Sequence, residues 1–224
     1  MAEQRKPVII LGAGGYAVIV HEILSAQPDR YLVLGCTDKA LGLSERSIGE
    51  GKSLRILGDD DALPELVAQH PGLSGVLALG PDLMDVRARL LLKLERFGIS
   101  SVTVIHPDSI VSNLAKPGEG TVIGAGAIVN AGSETGPHCA LAASAVIDHD
   151  THLGMNVFVG QGAQISSYVK LEDNVAIELG ACVNSRVCVG QGARVAGGAF
   201  VNTDVPDHAV VMGVPARVVR YIDN

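Results

Sequence analysis

Residues 121–165 read TVIGAGAIVN AGSETGPHCA LAASAVIDHD THLGMNVFVG QGAQI, and an aliphatic side chain recurs there at almost every sixth position. The same register runs from Ile105 to Val201, where fifteen of seventeen positions are Ile, Leu or Val. Those three types make up 66 of the 224 residues, so chance would place about five of them in the register. The register consists of Ile105, Val111, Pro117, Ile123, Val129, Thr135, Leu141, Ile147, Leu153, Val159, Ile165, Leu171, Ile177, Val183, Val189, Val195 and Val201.

A second set of positions, each two residues before a member of this register, holds only small or β-branched residues. A period of six fits neither the 3.6-residue period of a helix nor the two-residue alternation of a long strand. It fits a short strand and a turn with two inward side chains, and three such units close a triangular coil of eighteen residues. The alternative, a β-sandwich, has turn signals every 8–12 residues without a fixed six-residue repeat. The pattern therefore predicts a parallel β-helix.

The composition limits the classes of partner. The chain has 17 basic and 24 acidic residues, a formal net charge of −7, and only 3% aromatic residues. This charge argues against nucleic acid and anionic membranes as partners. No apolar run approaches the ~18 residues of a membrane span, and the N-terminus is expected to be a β-strand and not a signal peptide. Four cysteines without a C-x-x-C pair indicate buried thiols in a cytoplasmic protein.

The first hundred residues alternate predicted strands and helices, which indicates a small parallel α/β sheet of half-Rossmann type. We therefore predict an α/β domain at 1–104 and a β-helix domain with a C-terminal cap at 105–224. Strands are expected at 8–11, 31–35, 55–57, 76–79 and 102–105, and helices after the first strand and at 62–69 and 82–97.

A glycine-rich turn, GAGGYA at 12–17, follows the first predicted strand, and Asp38 comes about two dozen residues later. A full dinucleotide site needs two such halves, so a single nucleotide fits this short domain better. We expect Gly12, Gly14 and Gly15 to let the chain turn tightly, and the helix N-terminus to favour phosphate. The alternative is a turn that only packs helix on strand. Asp38 is expected to accept a hydrogen bond from the base or ribose, or else to be a solvated carboxylate.

The strand–GAGG–helix start, the junction VIHP at 104–107 and the hexads together resemble the NeuD/PglD/PerB-type sugar acetyltransferases of the hexapeptide-repeat superfamily. The resemblance implies a left-handed β-helix, acetyl-CoA as cosubstrate and no metal. It also implies a homotrimer with active sites between subunits. The acceptor would be the 4-amino group of a nucleotide-linked 4-amino-4,6-dideoxy sugar, of the GDP-perosamine or the UDP-bacillosamine type.

The resemblance also assigns substrate contacts in the first domain. They fall on Gly14, Gly15, Tyr16, Asp38 and Gly58. Many sisters carry His where this chain has Tyr16, and a tyrosine can stack or donate one hydrogen bond but cannot act as a cation.

The tetrapeptide at 147–150 holds the candidate catalytic residues. Ile147 belongs to the inward register, so His149 is expected on an exposed turn between the carboxylates of Asp148 and Asp150. A carboxylate can accept from one ring nitrogen and fix the orientation of the imidazole. The resemblance identifies His149 as the general base and Asp150 as its acidic neighbour, with direct attack of the amine on the thioester.

Coenzyme A contacts are implied by counting hexads from His149. They fall on Phe158, Leu179 and Gly197, and some sisters have a second His in place of Phe158.

Three other functions stay open at this point. Within the same family, the chain could be a sialic acid O-acetyltransferase. On the same fold, a carbonic-anhydrase-like enzyme would need a metal, for which His138, His149 and His152 are the candidate ligands. The third is a non-enzymatic binding trimer.

Overall fold

The computed structural model describes residues 5–39, 44–49 and 51–222. The chain divides into two compact units, Met1–Val104 and Ile105–Asn224. Each unit has a hydrophobic core of its own. The boundary coincides with the residue at which the six-residue register begins.

The first unit contains a four-stranded parallel sheet. Residues 8–11 are fully buried, because a central parallel strand is covered on both faces. This confirms the predicted parallel α/β sheet. Its strands are β1 (Lys6–Leu11), β2 (Tyr31–Thr37), β5 (Ser74–Leu77) and β6 (Ser100–Ser101), and they lie in the order β2-β1-β5-β6.

Among the described residues, three α-helices connect these strands: α1 (Gly15–Ser25), α2 (Leu63–Gln69) and α3 (Met84–Arg96). Helix α1 buries Val20, Ile23 and Leu24, the face that the sequence predicts. Short 3₁₀ turns at Asp60–Ala62 and Pro81–Leu83 precede α2 and α3, so both helices begin slightly later than predicted.

The sequence prediction missed an antiparallel hairpin. It consists of β3 (Glu45–Gly49) and β4 (Lys52–Arg55). Strand β4 ends at Arg55, the residue at which the strand predicted at 55–57 was expected to begin. The next residue, Ile56, forms only an isolated bridge with Cys36.

The second unit is a parallel β-helix built almost entirely from strands of two residues. The two-residue strands are β7 (Val104–Ile105), β8 (Ile110–Val111), β9 (Val122–Ile123), β10 (Ile128–Val129), β11 (Glu134–Thr135), β12 (Ala140–Leu141), β13 (Val146–Ile147), β14 (His152–Leu153), β15 (Phe158–Val159), β16 (Gln164–Ile165), β17 (Lys170–Leu171), β18 (Ala176–Ile177), β19 (Cys182–Val183), β20 (Cys188–Val189), β21 (Arg194–Val195) and β22 (Phe200–Val201). Two longer strands follow, β23 (Ala209–Met212) and β24 (Arg217–Tyr221).

Residues eighteen positions apart pair in parallel, as Ile147 does with Val129 and Ile165. The pairing builds three sheets, one on each side of a triangular prism, with orders β22-β19-β16-β13-β10-β8, β11-β14-β17-β20 and β24-β23-β21-β18-β15-β12-β9-β7. Strand β24 folds back antiparallel on β23 and ends the stack. The six-residue register and the eighteen-residue coil are thus confirmed.

The predicted small positions lie in the corners of the prism. Where they are polar, their hydroxyls bond to the next coil: Ser133 Oγ donates to the Asp148 carbonyl at 2.6 Å, and Thr151 Oγ1 to the Ser166 carbonyl at 2.8 Å. Both residues are fully buried. Small size and internal hydrogen bonding together let each corner close over the one below.

We name the three corners after one residue of each. The His149 corner joins the six- and four-stranded sheets and includes 130–133, 148–151, 166–169 and 184–187. The Asn174 corner joins the four- and eight-stranded sheets and includes 136–139, 154–157, 172–175 and 190–193. The Leu179 corner joins the eight- and six-stranded sheets and includes 124–127, 142–145, 160–163, 178–181 and 196–199.

Candidate functional site

The turn that carries His149 lies between β13 and β14. Asp148 opens it: its Oδ1 accepts from the His149 backbone N–H at 2.8 Å and from Asn130 Nδ2 at 3.0 Å. The His149 N–H, together with the Asn130 amide, holds the pKa of the Asp148 carboxyl below its ordinary value, against the effect of burial. Asp148 therefore fixes the backbone of the turn.

The His149 ring contacts the other carboxylate. Its Nδ1 lies 2.8 Å from Asp150 Oδ2, and the side chains of both residues are about half exposed. When Nδ1 carries the proton and donates a hydrogen bond to Asp150, Nε2 presents a lone pair that can accept a proton from a substrate. The sequence placed His149 between two carboxylates, but only Asp150 contacts the ring because Asp148 is bonded to the backbone.

Tyr168, one coil further on, also contacts His149 and was missed by the sequence reading. The two ring centroids are 5.2 Å apart with an interplanar angle of 85°, an edge-to-face arrangement. The guanidinium of Arg186, in the next coil, lies 4.8 Å from the centroid of the Tyr168 ring. The spacing of about eighteen residues from His149 and Asp150 was the available signal, since one coil separates stacked neighbours.

The residues expected to bind coenzyme A lie elsewhere on the prism. Leu179, 64% exposed, and Gly197 occupy successive coils of the Leu179 corner, where the Gly198 N–H donates to the Leu179 carbonyl at 2.9 Å. Phe158 lies on the eight-stranded sheet and is 2% exposed. Within one chain, the structure therefore groups Leu179 with Gly197 but places neither at the corner of His149.

In the first unit, the glycine turn depends on one glycine more than on the others. Gly12 has φ +110°, and a Cβ there would meet the Ala78 carbonyl oxygen at 2.8 Å. Gly14 has an ordinary φ of −71°, and Gly15 begins helix α1. Of the three glycines expected to let the chain turn tightly, only Gly12 therefore has a backbone conformation that requires glycine. A Cβ on Gly14 or Gly15 would enter open space, so their small size leaves room beside the helix N-terminus.

Asp38 and Gly58 lie together beside this turn. Asp38 Oδ2 accepts from the Ala13 N–H at 2.5 Å, and the Asp38 N–H donates to the Gly58 carbonyl at 3.0 Å. Gly58 has φ +121°, a conformation that favours glycine. The carboxylate of Asp38 thus holds the glycine turn in place, a role the sequence reading did not foresee.

Tyr16 lies in the first turn of α1 with its hydroxyl enclosed by protein. Burial raises the pKa of Tyr16 to about 12, and the charge of Arg87 acts in the opposite direction. Arg87 is itself 1% exposed and donates from Nη1 to the Leu79 carbonyl at 3.0 Å. The Tyr16 hydroxyl is therefore neutral at physiological pH.

A cavity of about 300 Å³ opens where β1 and β2 end. Its polar lining includes Thr37 and Asp38, and Asp60 forms ion pairs there with Lys39 at 3.8 Å and Lys93 at 3.4 Å. The apolar lining is formed by Leu79, Leu83, Val86 and Leu90. Thr37 is fully buried, and its Oγ1 has no hydrogen-bond partner among the described residues. The carboxyl ends of parallel strands are where such folds bind ligands.

Neither a metal-binding cluster nor a membrane-spanning helix occurs in the described ranges 5–39, 44–49 and 51–222. There, no three His, Cys, Asp or Glu side chains come together in a way that could hold a metal ion. Likewise, none of the helices described in these ranges is both long and apolar enough to cross a bilayer.

Comparison with known proteins gives consistent results. PerB, a perosamine N-acetyltransferase from Caulobacter crescentus solved with CoA and GDP-perosamine, is 32% identical with a TM-score of 0.85, covering 95% of this chain and 96% of PerB. The acetyltransferase domain of PglB from Neisseria gonorrhoeae FA1090, solved with acetyl coenzyme A, is 27% identical with a TM-score of 0.85, covering 96% and 100%.

A curated relative, the UDP-N-acetylbacillosamine N-acetyltransferase of Bacillus subtilis (strain 168), is 34% identical over 121 residues. These are 53% of this chain and 51% of that protein, so the match spans about half the length of the relative. No family model matches the chain. Because PerB matches nearly the whole chain in both sequence and structure, the protein belongs to the NeuD/PglD/PerB-type family of hexapeptide-repeat sugar N-acetyltransferases.

Proposed function

We propose that the protein transfers the acetyl group of acetyl-CoA to the 4-amino group of a nucleotide-linked 4-amino-4,6-dideoxy sugar. The observation that carries the proposal is the half-exposed His149 imidazole, whose Nδ1 lies 2.8 Å from Asp150 Oδ2. Relatives that match the chain over almost its full length were solved with CoA and GDP-perosamine or with acetyl coenzyme A. PerB is named for perosamine and the half-length Bacillus subtilis relative for UDP-N-acetylbacillosamine, and these are the two candidate types of acceptor here.

In the proposed reaction, the sugar amine attacks the thioester carbonyl directly. His149 Nε2 takes the proton as the C–N bond forms, and a backbone N–H stabilises the tetrahedral oxyanion. Collapse breaks the C–S bond, and the coenzyme A thiolate leaves and is protonated. General-base assistance of this kind contributes roughly 10²–10⁴ in rate.

Three of the four thiols are poor nucleophiles, which supports direct transfer over a covalent acyl-enzyme. Cys36 and Cys139 are fully buried, and burial with the nearby Asp38 charge raises the pKa of Cys36 to about 11. Burial and then the Glu172 carboxylate raise the pKa of Cys188. A thiol whose pKa is raised gives little thiolate at neutral pH, and the thiolate is the nucleophile. The four cysteines form no disulfide, which supports the proposal of a cytoplasmic location.

The positions of the residues expected to contact coenzyme A support the proposal of a homotrimer. Leu179 and Gly197 lie in a different corner of the prism from His149. A second copy of the chain that brings its Leu179 corner beside His149 would complete a donor site between subunits. The exposed Leu179 side chain would then contact the coenzyme, and Gly197 would leave space for it.

We infer that the nucleotide occupies the cavity beside Thr37. The apolar side chains of the cavity suit the faces of a base, and the open space at Gly14 and Gly15 suits phosphate beside a helix N-terminus. A buried hydroxyl without a partner costs about 1–3 kcal/mol, and a bound base or ribose would remove that penalty. Asp38 and Gly58 would act mainly by holding the rim of the cavity.

Replacing Thr37 with valine tests this assignment. Valine keeps the shape but removes the hydroxyl, so we expect KM for the nucleotide sugar to rise about 2- to 12-fold, the equivalent of a 0.5–1.5 kcal/mol hydrogen bond. The melting temperature should stay equal or rise, because a buried polar atom is lost. Steady-state kinetics and thermal melting measure both effects, and an unchanged KM would place the base elsewhere.

The function itself is tested with a panel of UDP- and GDP-linked 4-amino sugars and acetyl-CoA, with products identified by mass spectrometry. We expect N-acetylation of one nucleotide series and tight binding of its free nucleoside diphosphate. Indifference to both nucleotides, with acetylation of a sialic acid hydroxyl, would replace the proposal with the O-acetyltransferase alternative. Failure of acetyl-CoA to bind at millimolar concentration would leave a non-enzymatic trimer.

Asp150 offers a conformationally matched substitution. Its φ is +55°, which asparagine also tolerates, so Asp150→Asn changes the charge with little strain. We expect kcat to fall about tenfold, because the amide no longer orients and stabilises the ring as it gains a proton, while KM values stay within twofold. Asp150→Glu restores a carboxylate and should retain more activity than Asp150→Asn. Equal rates in all three proteins would make Asp150 purely structural.

A further inference from the structure

The corners of the β-helix share a left-handed backbone conformation, and two of the residues that adopt it are unusual. One residue per coil at each corner adopts a left-handed backbone conformation with φ between +55° and +75°. At the Leu179 and Asn174 corners these are Gly120, Gly126, His138, Ser144, Asn156, Gly162, Asn174, Gly180, Gly192, Gly198 and His208. At the His149 corner they are Gly132, Asp150, Tyr168 and Arg186.

Tyr168 (φ +59°) and Arg186 (φ +65°) differ from all the others in size. Glycine adopts this conformation without penalty, and Asn, Asp and His do so more readily than other residues. A bulky residue with positive φ is an outlier that persists where its side chain is needed. The fold alone would therefore favour Gly or Asn at both positions.

Both side chains make contacts that lead to His149. The Tyr168 ring meets the imidazole edge to face, with 5.2 Å between the ring centroids. The backbone N–H of Tyr168 also donates to the His149 carbonyl at 3.3 Å, but this bond belongs to the coil, since the Arg186 N–H donates to the Ser167 carbonyl in the same way. The Arg186 guanidinium lies 4.8 Å from the Tyr168 ring centroid, within the range of a cation–π interaction. The three side chains thus form a stack that starts at the imidazole.

We propose that Tyr168 is a positioning residue: it holds the His149 ring with Nδ1 on Asp150, and Arg186 in turn holds Tyr168. This inference rests on the proposed role of His149 as the general base. An edge-to-face contact is worth about a 2- to 12-fold preference for the packed orientation. Without it, the half-exposed imidazole turns away from Asp150 for part of the time, and Nε2 is correctly placed less often.

The test uses Tyr168→Asn, which suits the backbone but removes the ring. We expect kcat to fall about five- to tenfold, KM for acetyl-CoA to stay within twofold, and the melting temperature to stay equal or rise. Tyr168→Phe keeps the ring and should restore kcat to within twofold of wild type. Arg186→Asn should give an intermediate loss, because the tyrosine ring stays but is less fixed. His208→Asn, at the Asn174 corner with φ +57°, is the matched control and should leave kcat unchanged.

A second readout does not depend on activity. The ¹⁵N chemical shifts of the His149 ring report which nitrogen carries the proton, and we expect the Nδ1–H form to be less populated in Tyr168→Asn than in wild type. Unchanged shifts together with unchanged kcat overturn the proposal. Unchanged shifts with a fall in both melting temperature and kcat also overturn it, because Tyr168 would then only stabilise the coil. If no nucleotide sugar is acetylated by wild type, the proposed function fails, while the ring shifts still decide the role of Tyr168.

Discussion

Substituting His149 with alanine is expected to lower kcat at least about a hundredfold while the protein stays folded. The side chain is about half exposed and projects from a turn, so its loss removes little packing. What is lost is the Nε2 atom that takes the proton from the attacking amine, and general-base assistance contributes roughly 10²–10⁴ in rate. Steady-state kinetics with the preferred nucleotide sugar measure the effect, and the melting temperature should stay close to that of wild type.

His152→Ala is the matched control for this variant. His152 is an exposed histidine three residues away, on β14 and the four-stranded sheet. Its removal should leave kcat and KM unchanged. That result would show that the fall in kcat requires the loss of His149 in particular and not of any histidine in this coil. A near-normal rate in His149→Ala would remove the imidazole from the mechanism and leave positioning of the two substrates as the source of catalysis.

The β-helix could be predicted from sequence because one steric rule governs every coil. Each two-residue strand puts its second side chain into a narrow interior, where only an aliphatic residue packs well, as for Leu141 and Ile177. Eighteen-residue stacking then repeats the rule in each layer. Thr135 is a polar exception in this register, and the coil tolerates it because its hydroxyl accepts a hydrogen bond from the Gly118 N–H at 2.9 Å.

The hairpin of β3 and β4 could not be predicted in the same way. Its residues Glu45–Gly49 alternate between exposed and half-buried, so no apolar stripe marks the strand. Its pairing depends on cross-strand contacts such as Ser53 Oγ donating to Glu45 Oε2 at 2.5 Å. Contacts of this kind leave no periodic signal in a sequence.

The candidate site also has parts that the sequence could predict and parts that it could not. The exposure of His149 followed from the register, but both neighbouring carboxylates were possible partners of its ring, and only the family resemblance pointed to Asp150. Tyr168 and Thr37 could not be predicted, because their roles depend on what lies beside them in space: the ring one coil away and the cavity at the end of β2. Asp38 shows the same limit, since only the fold reveals that its carboxylate holds the Ala13 N–H.

The largest expected loss of stability follows from replacing Ile147, two residues before His149, with alanine. Ile147 is fully buried between Val129 and Ile165 of the neighbouring coils. The backbone cannot close the gap, because the Asn130 N–H donates to the Ile147 carbonyl and the Asp148 N–H to the Ile165 carbonyl, both at 2.9 Å. The variant should therefore keep a cavity and lose about 2–5 kcal/mol of the free energy of unfolding, measured by urea denaturation.

Val146→Ala is the matched control, because this neighbour on the same strand is only partly buried and faces outward. It should cost less than about 1 kcal/mol, and Ile147→Val about 0.5–1.5 kcal/mol. Equal costs for Ile147→Ala and Val146→Ala would show that interior packing does not hold the coil together. Well below its melting temperature, Ile147→Ala should keep most of its kcat, because the hydrogen bonds of Asp148 still fix the turn. Loss of stability with activity retained, set against loss of activity with stability retained in His149→Ala, would separate the packing of the coil from the chemistry at its corner.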